Sequence, residues 1–64
     1  MPVLIVGRKP SRPGRYYYAT SRSGPRFIVK VYPRDDGKLC QMIEGDDLEE
    51  LLDDTPGAWS EEPI

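Results

Sequence analysis

The chain has 64 residues, 38% hydrophobic and 31% charged, with seven prolines and six glycines. That length holds one domain, 1–64, with a thin core, because a chain this short buries only about 60% of the surface its unfolded form exposes. A single cysteine excludes an internal disulfide, and the lack of histidine excludes Ser-His and Cys-His nucleophile pairs and the usual zinc sites. The net charge of −2 conceals a division: residues 1–34 carry eight cations and no acid, +8, and residues 35–64 carry eleven acids and one lysine, −10.

In chain order, Val3-Leu4-Ile5-Val6 is apolar throughout, the pattern of a buried strand, and Gly7 ends it. It falls far short of a signal-peptide core or of the roughly 20 residues that span a bilayer, so a cytoplasmic protein without a membrane segment is expected. Residues 8–14 form a basic loop, since Pro10 and Pro13 offer no backbone donor and Pro13-Gly14 favours a turn. Residues 15–20 read as a second strand with Tyr16 and Tyr18 on one face and Tyr17 and Ala19 on the other. After a turn over 21–25, residues 26–32 return as a third strand with Phe27, Val29 and Val31 towards the core. Pro33-Arg34-Asp35-Asp36-Gly37 is a hairpin signal, because Asp-Gly tolerates the positive backbone angles such turns need. Residues 38–43 complete an antiparallel meander, with Cys40 a small buried thiol. The position of strand 3–6 beside that meander is left open.

The acidic stretch 46–54 predicts a short helix. At about 100° per residue, Leu48, Leu51 and Leu52 share one sector, Asp46, Glu50 and Asp53 point away, and Asp47, Glu49 and Asp54 flank. Asp46 is placed to cap it, with Glu49 at capping-box spacing. Asp53 and Asp54 oppose the helix dipole at a cost of about 0.3–1 kcal/mol each. Thr55-Pro56-Gly57 stops the helix, and Trp59 is the one large anchor in a polar, partly flexible tail over about 58–64. The expected fold is therefore α+β, an antiparallel sheet of three to four strands carrying one short acidic C-terminal helix.

No catalytic residue, cofactor or metal site is expected, since neither a phosphate-binding glycine loop nor a calcium-loop pattern is present. Two binding readings compete. Arg8, Lys9, Arg12, Arg15, Arg22 and Arg26, interleaved with Tyr16, Tyr17 and Tyr18, suit a small basic β module that takes nucleic acid through phosphate contacts and base stacking. Alternatively, Asp46, Asp47, Glu49, Glu50, Asp53 and Asp54, with Asp35, Asp36, Glu44, Glu61 and Glu62 as secondary contacts, imitate nucleic acid. A helix rises about 1.5 Å per residue and duplex DNA carries one charge per roughly 1.7 Å of axis. The plain alternative is that the two halves neutralise each other within the fold.

Pro13-Gly14-Arg15-Tyr16-Tyr17, Val29-Lys30-Val31-Tyr32, Asp36-Gly37 and Gly57-Ala58-Trp59-Ser60 before Pro63-Ile64 give most of the chain the look of very small accessory proteins of bacteriophages and mobile elements. Among these it resembles anti-CRISPR proteins that act as DNA mimics, in particular small inhibitors of type I CRISPR-Cas, the type I-C system among them. The resemblance implies a monomeric inhibitor, working in the cytoplasm of an infected bacterium, that occupies the DNA or PAM entry site of the Cascade complex and binds no nucleic acid itself. A structural phage protein without a charged target is a third reading.

Overall fold

The computed structural model describes residues 3–21 and 23–64. Local turn chemistry builds its centre. Strands β2 (Gly14–Ala19), β3 (Phe27–Pro33) and β4 (Leu39–Ile43) pair antiparallel in sequence order, as the meander predicts. At the β3–β4 hairpin, Arg34 N–H donates to the Lys38 carbonyl at 2.8 Å, and Gly37 takes the positive φ of 84° that the turn requires. The Lys38 N–H donates to the Asp36 carboxylate at 3.0 Å. That hydrogen bond, aided by Arg34, holds the Asp36 carboxyl below the usual aspartate range.

The fold is all-β, not α+β. The helix expected over 46–54 is absent: β5 (Glu49–Leu51) pairs with β4, a 3-10 turn follows (Leu52–Asp54), and β6 (Ala58–Ser60) is the last strand along the chain. A nine-residue helix is marginal in water. The competing arrangement supplies ladder hydrogen bonds to β4, whose outer edge would otherwise stand open. Asp46 still uses its carboxylate locally, accepting from the Leu48 N–H at 3.2 Å, but as a turn rather than a helix cap. Of the three leucines expected to dock, Leu52 is buried, Leu51 is half-buried and Leu48 is 69% exposed. The dipole argument against Asp53 and Asp54 lapses with the helix.

One antiparallel sheet results, in the order β1-β6-β2-β3-β4-β5, where β1 is Leu4–Val6. Trp59 on β6 donates its indole N–H to the Gln41 side-chain oxygen on β4 at 2.9 Å, although β2 and β3 lie between those strands. The sheet is therefore curled around its core. Tyr16, Tyr18, Val29, Val31, Leu52 and Trp59 fill the concave side, with Leu39 and Ile43 packed against them. Leu4, Ala19 and Ala58, with Tyr17, form a smaller cluster. The Tyr18 and Trp59 rings lie 5.1 Å apart at 42°, a tilted pair that contributes about 0.5–1.5 kcal/mol beyond its buried area.

Three further expectations are corrected. Strand 3–6 is a sheet edge rather than a buried strand: β1 pairs only with β6, Leu4 is buried, and Val3 and Val6 face solvent. Phe27 sits at the rim while Val29 and Val31 are buried. Residues 58–60, expected at the start of a polar tail, form an interior strand held between β1 and β2, buried throughout. Gly57 allows that strand to close on β2. Its φ is +141°, and a Cβ there would stand 2.6 Å from the Ala19 carbonyl oxygen and 2.6 Å from the Tyr18 ring.

Candidate functional site

The acids of 46–54 line the free edge of the sheet. β5 is the last strand in the order, so its side chains alternate across an unpaired border: Glu49 lies opposite Met42, Glu50 opposite Gln41 and Leu51 opposite Cys40. Glu49 and Glu50 consequently leave on opposite faces. Glu49 accepts the Tyr32 hydroxyl at 2.7 Å, and that hydrogen bond to a carboxylate holds the phenol well above its usual range. Glu50 turns to the concave side, 3.2 Å from the Thr55 hydroxyl, which also lies 2.7 Å from the Leu51 carbonyl. Burial raises the Tyr18 phenol, and the Glu50 carboxylate raises it further.

Asp46 and Asp47 stand in the loop before β5, and Asp53 and Asp54 in the 3-10 turn after it. All six carboxylates are exposed, and among the described residues none of them forms an ion pair. Three of the five secondary candidates behave differently, while Asp35 and Glu62 also form no ion pair among the described residues. Both Glu44 carboxylate oxygens accept from the Arg15 Nη2, at 2.8 and 3.1 Å, Asp36 accepts from Arg34 at 3.1 Å, and Glu61 contacts Arg8 at 3.5 Å. Asp35 and Asp36 join Glu49 around an open depression of about 360 Å³ beside Tyr32, Pro33 and Arg34, which extends the acidic edge to the hairpin. Glu62 is exposed near the end of the chain, its carbonyl accepting the Ser60 hydroxyl. Among the described residues no group of three or more histidine, cysteine, aspartate or glutamate side chains is arranged to hold a metal ion.

The basic half does not assemble as the rival reading needs. Tyr16 and Tyr18 are buried and donate their hydroxyls to the Arg12 and Pro56 carbonyls, both at 2.9 Å, so neither ring presents a face for stacking. Arg15 is engaged with Glu44, Arg8 makes only a looser surface contact with Glu61 at 3.5 Å, and Arg22 lies outside the described residues. Sequence reasoning missed the polar residues that shape the acidic edge. Thr55 sits beneath Glu50, Tyr32 holds Glu49, and Lys9, 44 positions away, donates to the Asp53 carbonyl at 2.7 Å. The Tyr32 and Lys9 pairings leave no local signal, since their partners lie 17 and 44 positions away, and the Thr55–Glu50 contact, only five positions apart, depends on the 3-10 turn between them.

The class that fold and site define is a single curled antiparallel sheet with one acidic border. No family model, curated protein or solved structure matches the chain. Among the described residues no helix is long and apolar enough to cross a membrane.

Proposed function

We propose that the protein is a non-enzymatic inhibitor that places its acidic edge in the positively charged nucleic-acid site of another protein. The target implied by its resemblance to anti-CRISPR DNA mimics is the DNA or PAM entry site of a type I Cascade complex. The observation that carries this reading is the division among the acids. Glu44, Asp36 and Glu61 are matched by arginines of the basic half, whereas the six carboxylates of 46–54 remain exposed and form no ion pair among the described residues, Lys9 reaching only the Asp53 main-chain carbonyl. Simple mutual neutralisation would pair both sets alike.

The charge spacing differs from that of a helix. Only Glu49 and Glu50 lie on the strand, on opposite faces, and the other four acids stand in the loop before it and the 3-10 turn after it, so the edge is an irregular acidic border rather than a regular row of charge. Complementary fields of this kind steer association and weaken with salt. The test is displacement of PAM-containing duplex DNA from a type I Cascade complex at two salt concentrations. Competitive displacement that weakens with salt supports the reading; binding that leaves DNA in place refutes it.

A further inference from the structure

Away from the acidic edge, the loop joining β1 to β2 meets the end of β6 around a second recess, of about 120 Å³. Arg8, Lys9 and Arg12 stand in its wall, with Ser11 beside them and Glu61 as the one acid. We infer that this recess binds a single phosphate group, either free or at the end of a nucleic-acid chain, through Arg8, Lys9 and Arg12.

The loop is stiff before any ligand arrives. Pro10 and Pro13 fix their own φ angles. The Tyr16 hydroxyl donates to the Arg12 carbonyl at 2.9 Å, the Lys9 ammonium to the Asp53 carbonyl at 2.7 Å, and the Gly7 N–H to the Gly57 carbonyl at 3.0 Å. Three cations within five residues repel one another, so holding them together is a cost that an anion relieves. Preorganised donors also lose little freedom on binding.

Each cation retains donor capacity. An ammonium has three N–H donors, and Lys9 commits one to Asp53. Arg8 meets Glu61 at 3.5 Å between side chains 67% and 58% exposed, a surface contact worth little and readily exchanged. The Arg12 guanidinium forms no ion pair among the described residues, and its planar fork matches two oxygens of a tetrahedral anion. Ser60 adds nothing, because its hydroxyl accepts from the Tyr17 N–H and donates to the Glu62 carbonyl. Whole small-molecule ligands occupy pockets of about 300–1,000 Å³. A recess of this size takes the phosphate and leaves any attached sugar and base outside.

The experiment is an amide chemical-shift titration with inorganic phosphate at constant ionic strength, chloride being the balancing anion. A parallel series uses a 5′-phosphorylated dinucleotide beside its unphosphorylated form. Saturable shifts confined to residues 8–12 and 60–61 are expected. Arg12→Gln, which keeps the main-chain carbonyl that Tyr16 binds, should weaken affinity about tenfold. Glu61→Gln, which frees Arg8 and removes a like charge, should strengthen it several-fold. Preference for the phosphorylated dinucleotide over inorganic phosphate assigns the group to a nucleic-acid end, and equal affinity assigns it to free phosphate; the site stands in both cases. Shifts that fail to saturate, that arise elsewhere, or that are unchanged in Arg12→Gln overturn the inference.

Discussion

Gln41 lies on the same face of β4 as Leu39 and Ile43, opposite Val31, and it is 2% exposed. A buried amide in that position needs a partner, and the Trp59 indole N–H supplies it at 2.9 Å. Gln41→Leu keeps the volume but strands the indole donor, so stability should fall by about 1–3 kcal/mol, read from urea unfolding. Cys40, on the other face, is fully buried, and burial pushes its thiol up. It should react slowly with a thiol reagent in the native protein and quickly once unfolded; rapid native labelling would show a more accessible strand than β4. Asp36 provides a pH marker. Its folded pKa is lowered by the Lys38 N–H and by Arg34, so its contribution is present above the ordinary aspartate value and is lost as pH falls through the lowered one. Following the Asp36 carboxyl carbon by NMR should therefore give a midpoint below that of an ordinary aspartate.

At the scale of elements, the meander was legible and the acidic segment was not. Asp36-Gly37 and the alternation of β3 act through nearest neighbours, so the sequence alone places them. Leu48, Leu51 and Leu52 satisfy a helical sector equally well when the last two belong to a strand end and a 3-10 turn. The choice is made by β4, which is invisible from within the segment. The alternatives separate experimentally. A docked helix would make Leu48 and Leu52 comparable, whereas the strand and turn predict that Leu52→Ala costs about 2–5 kcal/mol while Leu48→Ala stays within about 0.5 kcal/mol. Calorimetric melting of both variants decides between them. β6 was hidden for a related reason. Ala58-Trp59-Ser60 is too short and polar to read as an interior strand, and only Gly57 marks the close approach. Gly57→Ala meets both an unfavourable φ and backbone oxygen at 2.6 Å, so it should destabilise more than an ordinary surface change, visible as a lower urea midpoint.

For the whole molecule, the sequence disclosed the charge division but not its resolution. Arg15 and Arg8 reach Glu44 and Glu61 on other parts of the sheet, Arg34 pairs with Asp36 within its own hairpin, and 46–54 is left unmatched by ion pairs among the described residues. The exposed carboxylates repel one another and so oppose folding slightly. Carboxylates held for a partner carry that cost. The direct measurement combines Asp47→Asn, Glu50→Gln, Asp53→Asn and Asp54→Asn, leaving Asp46 and Glu49 to their turn and to Tyr32, and follows unfolding together with DNA displacement from type I Cascade. The neutralised variant should unfold at a midpoint equal to or above that of the native chain and lose displacement, with an Arg8 and Arg12 double charge reversal retaining displacement. A neutralised variant that displaces DNA as well as the native protein, or arginine reversals that alone abolish displacement, would contradict that role for the acidic edge.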